Sequence, residues 1–318
     1  MFNKIDFDNV QQLITKLENN IASVVMGKRE VIRQCLVAFF AGEHLLLEDV
    51  PGVGKTLLGQ ALAKSLSASF KRIQFTPDLI PADITGGNIY NQKEQEFDFF
   101  EGPIFSNIIL ADEINRTTPR TQSAMLEAMS EHQVSCDGTT YQLPQPFMVI
   151  ATENPIEFEG TYPLPESQMD RFLMRISIGY PDRTDELQIL KAHQETIPID
   201  HLEPVLDVEQ VRWIQSMVRK VEINEHIMNY VLNILDTTRE CSELFVGVST
   251  RGGILFCRAA QAHALTSGRD YVIPDDIKKL AVPVLAHRVI TKSTGQKNER
   301  DSVEALIERL LNTVPVPA

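Results

Sequence analysis

Cysteine and tryptophan are scarce, at four and one in 318 residues. Cys35, Cys136, Cys241 and Cys257 are scattered, with no Cys-x-x-Cys pair and no His/Cys spacing of a zinc site. That argues against a disulfide-stapled secreted scaffold and against a metal ribbon, and free thiols in a reducing, cytoplasmic setting are the expectation. Basic charge is also in deficit: 30 Lys and Arg stand against 43 Asp and Glu, a net charge of −13. An extended surface for a nucleic-acid backbone would need the opposite balance. No apolar run approaches the ~18–20 residues of a membrane span. The opening residues 1–9 are polar and acidic, so neither a secretory leader nor membrane insertion is expected. Internal repeats and low-complexity tracts are missing as well.

What is present is an ordinary globular composition, 43% hydrophobic and 23% charged. At roughly 150 residues per domain the length suggests about two domains. Short apolar runs at 44–47, 72–75, 108–112, 147–152 and 172–178 alternate with amphipathic stretches, including a helix expected over 56–67. Nearly continuous apolar runs of this kind are how parallel strands covered on both faces read. The fold class expected is therefore α/β, a parallel sheet flanked by helices. After Pro181 the texture changes to helical spacing at 184–195, 207–220, 224–239, 250–266 and 274–287. Ser249 has the chemistry of an N-cap, and Pro274-Asp275-Asp276 that of a first turn. The expected division is a core over 1–182, entered through helices at 10–18 and 30–40, and a separate helical domain over 183–318.

Three motifs fall at the ends of expected strands. Pro51-Gly52-Val53-Gly54-Lys55-Thr56 sits between the run 44–47 and the helix it opens, the setting a phosphate-binding loop requires. Backbone amides of Gly52, Val53, Gly54 and Leu57 can wrap phosphate oxygens, with the helix N-terminus adding its dipole. Lys55 would neutralise the β- and γ-phosphates, and Thr56 would place a hydroxyl on Mg²⁺. The general pattern has glycine at position 49, where this chain has Asp49. The second motif, Ile108-Ile109-Leu110-Ala111-Asp112-Glu113, delivers two carboxylates to a buried strand's end, where open α/β sheets bind ligands. Asp112 is placed to hold Mg²⁺ through its hydration shell and Glu113 to polarise an attacking water. In the third, Ala151-Thr152-Glu153-Asn154-Pro155, the Asn154 amide can orient that water; the plainer alternative is an Asn-Pro turn. Arg171, at a helix-to-strand junction, and Arg251, at the start of a later helix, are candidates for transition-state charge, with structural ion pairs as the alternative.

These residues resemble the AAA+ ATPases, and specifically the MoxR family, over nearly the whole chain. The most specific pieces are Leu47-Glu48-Asp49-Val50 leading into the phosphate loop, Ala111-Asp112-Glu113-Ile114-Asn115-Arg116, and Gln122-Ser123-Ala124-Met125-Leu126-Glu127-Ala128-Met129. Glu159-Gly160-Thr161-Tyr162-Pro163-Leu164-Pro165-Glu166, running on to Asp170-Arg171-Phe172, is similar too. Asp49 is the usual residue in this family. The resemblance implies a five-stranded P-loop sheet with a helical lid, and a nucleotide at their junction. It implies Asn154 as sensor 1, Arg171 as an arginine finger offered to a neighbouring subunit, and Arg251 as sensor 2. The Ser-Pro-Arg that precedes the last of these in relatives is here Ser249-Thr250-Arg251. Gly27, in Val25-Met26-Gly27, resembles the segment that packs on adenine.

Two inserts fit the same clade. Residues 77–103 are too long for a plain connection and carry Gly86-Gly87 and Phe97-Asp98-Phe99-Phe100. Residues 133–142 read as a hairpin with Asp137-Gly138 at its turn. In related rings such inserts face the pore; the alternative is decoration packed on the core. The implied activity is ATP hydrolysis with Mg²⁺ by a homo-oligomeric ring, a hexamer, that remodels or matures partner proteins. Such partners often carry a von Willebrand A-type domain, and the work includes metal-cofactor insertion. A nucleic-acid motor, disfavoured by the charge, and a nucleotide-gated scaffold with little turnover are the competing readings.

Overall fold

A computed structural model describes residues 4–155, 161–192, 194, 198–292 and 299–317. Two helices open the chain, α1 (Lys4–Ala22) and α2 (Arg29–Ala41). Then come β1 (His44–Glu48), α3 (Lys55–Ser65), β2 (Phe70–Gln74), α4 (Pro81–Thr85), β3 (Gly86–Asn91), β4 (Glu96–Glu101) and β5 (Ile108–Asp112). They are followed by α5 (Pro119–Glu131), β6 (Gln133–Cys136), β7 (Thr139–Gln142), β8 (Met148–Glu153), α6 (Glu166–Met169) and β9 (Phe172–Ile176). The remainder is α7 (Arg183–Ala192), α8 (Val208–Val218), α9 (Glu225–Glu240), β10 (Leu244–Val246), α10 (Thr250–Thr266), α11 (Pro274–Leu285), β11 (Ile290–Thr291) and α12 (Glu299–Thr313).

Five strands form one sheet in the order β2-β5-β8-β1-β9, and every neighbouring pair is parallel. The two-residue period of a strand sorts the side chains of this sheet into two faces. Leu46, Ile109, Ala111, Val149 and Ala151 pack with Met125, Leu126 and Met129 of α5. Leu45, Leu47, Ile108, Leu110, Met148 and Ile150 pack with α2 and α3. Both faces are covered, which is why β1, β5 and β8 are almost wholly apolar. Parallel strands joined by helical crossovers all end at one edge of the sheet. That geometry brings three distant loops together.

In the helical region beyond residue 183 the expected Ser249 cap and Pro274 first turn are seen on α10 and α11, and caps on α8 and α9 add to them. Asp207 and Gln210 form a capping box on α8, Asn224 caps α9, and the Ser249 hydroxyl accepts from the Gly252 amide at the start of α10. The expected helix 184–195 is seen as α7; Glu195 lies outside the described residues, as do Glu159 and Gly160. Two features went unforeseen there. Helix α12 closes the chain, and β10 pairs antiparallel with β11 in a short ribbon. The apolar core is continuous from α1 and α2 through one sheet face to α8–α11. The lead-in helices thus contact both the sheet and the later helices.

Both inserts are hairpins: β3 pairs with β4, and β6 with β7 around Asp137-Gly138. They are locked to each other. Phe99 stacks on Tyr141 with ring centroids 3.8 Å apart, and the Asn88 amide donates to Asp137 at 2.7 Å. The far hairpin is not a closed core of its own. Phe97 and Phe100 are 69% and 66% exposed.

Helices α10 and α11 are joined by a buried ionic cluster. Asp276 accepts from His263 at 2.7 Å and from both terminal nitrogens of Arg269, at 2.7 and 2.6 Å. Burial alone would raise its carboxyl; hydrogen bonds from His263, Arg269 and the Ile273 amide, with the Arg269 charge, bring it down to about 2. An Asp276→Ala change should cost about 3 kcal/mol at neutral pH, the lower end for a broken buried pair because Arg269 is partly solvated. The folded pKa lies below the ordinary carboxylate value of about 3.9, so the stabilisation is present above about pH 4 and is lost as pH falls toward 2. Urea unfolding of the two chains as a function of pH should therefore converge in acid.

Candidate nucleotide site

The ends of β1, β5 and β8 and the edge strand β2 enclose a cavity of about 450 Å³. Its lining joins the loop residues Pro51, Gly52, Gly54, Lys55, Thr56 and Leu57 to Asp112, Glu113 and Asn154. The register explains the meeting. Glu48 pairs with Glu153 across β1 and β8, and Ala111 with Ala151 across β5 and β8. The next residues in each chain segment must therefore leave the sheet side by side.

Local chemistry shapes the loop. Gly52 and Gly54 have φ of +86° and +99°, in the left-handed region that side-chain-bearing residues seldom adopt. Beyond the adjacent residues no atom lies within 4 Å of where a Cβ would stand on either, and both glycines line the cavity. Helix α3 starts at Lys55, and its first amides have no carbonyl partner within the helix. The result is a cluster of N–H donors at the positive end of a helix dipole, the chemistry of an anion site. Lys55 is buried and donates to the carbonyls of Asp49 and Glu153. Burial lowers its pKa, while Asp49, Asp112, Glu113 and Glu48 act to raise it.

The two carboxylates are held in place. Asp112 accepts from the Thr152 hydroxyl at 2.7 Å and from Arg72 at 2.5 and 3.0 Å. Glu113 accepts from the Gln74 amide at 2.8 Å and pairs with Arg116 at 3.1 Å. Its backbone turns sharply, with φ +58° and ψ +52°, and its amide donates to the Thr152 hydroxyl at 2.8 Å. A non-glycine residue in that region costs energy and persists only where its surroundings enforce it. Here the turn swings Glu113 off the strand axis, so that two consecutive residues face the same cavity. Asn154 is buried beside them. Next to it, burial and the charge of Glu48 push the Glu153 carboxyl up to about 7, opposed by Arg175.

Sequence reasoning missed Arg72, Gln74 and Thr152. The signal was faint: on the edge strand β2, alternation leaves Arg72 and Gln74 on one face, level with Leu110 and Asp112. Asp49 also has an unforeseen place. Its carboxylate turns away from the cavity and accepts from Ser177 and the amides of Ile178 and Gly179.

Not every expected residue converges. Val53 and Gly27 stand outside the cavity lining. Gly27 has φ +73°, and a Cβ there would fall 2.0 Å from the Asp185 carboxylate. Arg171 donates to the Leu126 carbonyl and to Ser130 at 2.7 Å, at the C-terminal part of α5. Arg251 pairs with Asp170 at 3.7 Å and is 57% exposed. Asp170 in turn is gripped at 2.8 Å by Arg288, whose side chain is buried. The two expected arginines are thus held by different partners, Arg171 by α5 and Arg251 by Asp170, and neither lines the cavity of its own chain.

The donors suit a magnesium–triphosphate. A hydroxyl and carboxylates are the hard oxygen ligands that Mg²⁺ takes, and it is commonly completed by phosphates and water. Among the described residues no cluster of three or more His, Cys, Asp or Glu side chains can hold a metal without such help.

Comparison with known proteins agrees. Residues 44–174 match the ATPase family associated with various cellular activities, and residues 236–310 match the AAA lid domain. The chain is 49% identical to the uncharacterized protein YeaC of Bacillus subtilis, covering 98% of this chain and 97% of that one. It is 39% identical to Chaperone MoxR1 of Mycobacterium tuberculosis, over 93% of this chain and 80% of the relative. A crystal structure of a protein from Cytophaga hutchinsonii superposes with a TM-score of 0.89 at 39% identity, covering 98% of this chain and 97% of that one. With this fold, this cavity and these relatives, the chain belongs to the MoxR family of AAA+ ATPases.

Proposed function

We propose that the protein hydrolyses ATP as a ring of identical subunits, a hexamer in this reading, and uses the cycle to remodel or mature partner proteins. The observation that carries this is the meeting of an open anion cradle, a buried lysine and two fixed carboxylates in one cavity. The amides of Gly52, Val53, Gly54, Lys55, Thr56 and Leu57 bind the phosphates. Lys55 leaves the Asp49 carbonyl to neutralise the β- and γ-oxygens. Thr56 and Asp112 hold Mg²⁺, which supplies charge stabilisation to the phosphates when bound. Glu113, steadied by Gln74, takes the proton of the attacking water, and Asn154 orients that water. Gly27 lies in the turn that receives adenine.

Arg171 completes the site of the neighbouring subunit, and Arg251, as sensor 2, adds its charge at the nucleotide of its own subunit. Arg171 is anchored on α5 and does not line the cavity of its own chain, and Arg251, at the start of α10, is exposed and held by Asp170. We take 1–182 as the ATPase core and 183–318 as the helical lid that moves against it. The chain's similarity to Chaperone MoxR1 supports a chaperone-like role. The acidic hairpin β3–β4, with Phe97 and Phe100 facing solvent, is the surface we assign to partner contact. A von Willebrand A-type partner awaiting a metal cofactor is the client class carried over from the family. A cytoplasmic setting fits free thiols; among the described residues no helix is long and apolar enough to cross a membrane.

Two experiments test this reading. Glu113→Gln should retain ATP while slowing phosphate release by about 10²-fold or more, the worth of a general base. Tight ATP binding with unchanged release would remove Glu113 from the role. Arg171→Ala and Lys55→Ala should each be inactive alone, the first by roughly 10³-fold or more. Mixed, they should regain turnover, because a ring then contains intact sites built from one chain's loop and the other's arginine. No recovery on mixing would exclude a shared site.

A further inference from the structure

We propose that Asp49 is a positioning residue that clasps the phosphate loop to the connector 177–182, so that occupancy of the loop is passed to the helical region. The inference rests on the reading that this loop holds the phosphates of ATP. A carboxylate next to a phosphate site is electrostatically unfavourable, and the general loop pattern has glycine there, so its presence calls for a task elsewhere. The geometry supplies one. Asp49 is buried, and its carboxylate takes no part in lining the cavity. One oxygen accepts from the Val50 amide at 2.9 Å. The other accepts from the Ser177 hydroxyl at 2.9 Å and from the amides of Ile178 and Gly179 at 2.7 and 2.6 Å. These are short, charge-assisted bonds, among the strongest a side chain makes to backbone.

The main chain of the same residue faces the other way. Its amide donates to the Glu153 carbonyl at 3.1 Å, and its carbonyl accepts from Lys55. Asp49 therefore joins the loop lysine, the end of β8 and the connector in one residue. The connector is gripped on its far side too. Lys28 donates to the Tyr180 carbonyl at 2.8 Å, and Asp185, in the first turn of α7, fills the space over Gly27. A second arm runs in parallel. Glu48, one residue earlier, pairs with Arg175 at 3.3 Å and with Arg300 of α12 at 3.5 Å, and its carbonyl accepts from Arg300 at 3.2 Å. When Lys55 turns from the Asp49 carbonyl to a phosphate, the residue it leaves is the one that holds the connector.

Hydrogen exchange of the five backbone amides in 177–182, those other than Pro181, with and without ATP·Mg²⁺, tests this in a Glu113→Gln background that does not turn ATP over. In that parent, ATP should slow exchange at 177–182 by about tenfold or more. Asp49→Gly should bind ATP within about threefold of the parent but show less than about twofold slowing; Asp49→Asn, which keeps an acceptor oxygen, should fall between. A merely structural role would speed exchange equally in both states and leave the ratio intact. Parent-like slowing in Asp49→Gly overturns the clasp. Should the glycine variant not fold, Ser177→Ala takes its place: a reduced ratio supports the clasp, and an unchanged one overturns it. A parent that binds ATP without slowing 177–182 sinks the coupling alone. A parent that binds no ATP sinks the nucleotide reading, and the coupling with it.

Discussion

The parallel register of β1, β5 and β8 is the constraint on which the rest depends. Glu48 lies beside Glu153, and Ala111 beside Ala151, so three loops separated by many residues in the chain leave the sheet at one edge. The phosphate loop, the paired carboxylates and Asn154 are those loops. Their convergence needs no special contact between them. It needs only that both sheet faces be apolar enough to fix the register, and on β1 Leu45 and Leu47 pack on one face and Leu46 on the other, all fully buried.

Given the register, the remaining task is to hold charge at the sheet edge without letting it collapse. Lys55, Asp112 and Glu113 share one cavity and are kept apart by separate partners. The lysine rests on two carbonyls, Asp112 on Thr152 and Arg72, and Glu113 on Gln74 and Arg116. Thr152 has two jobs, since its hydroxyl donates to Asp112 and accepts the Glu113 amide. The two carboxylates so fixed need little reorganisation when a ligand arrives, which is how preorganised sites gain their effect, whereas Lys55 must turn from its carbonyls. The arginines obey a different logic. Arg171 and Arg251 are anchored outside the lining of this cavity, one on α5 and one against Asp170.

Much of this was legible in the sequence because the signals are local. The apolar runs of β5 and β8, the glycines of the loop, the Asp137-Gly138 turn and the Ser249 cap each follow from a few adjacent residues. What escaped depends on partners far along the chain. Arg72 and Gln74 read as polar residues on an edge strand until β5 lies beside them. Asp49 looks like a defect in a motif until residues 177–179 close on its carboxylate. The ribbon β10–β11 is only a few residues a side, below the length at which alternation carries information, and the grip of α12 on Glu48 spans most of the chain.

The central claim is that one triphosphate touches all of these groups. A crystal structure with Mg²⁺ and a non-hydrolysable ATP analogue measures it directly. The account predicts phosphate oxygens against the amides of residues 52–57 and Lys55 turned from the Asp49 carbonyl onto them. The metal should lie between Thr56 and Asp112, and Arg171 of an adjacent copy at the γ-phosphate. Nucleotide bound elsewhere, or Lys55 still resting on Asp49 beside an occupied site, would contradict it.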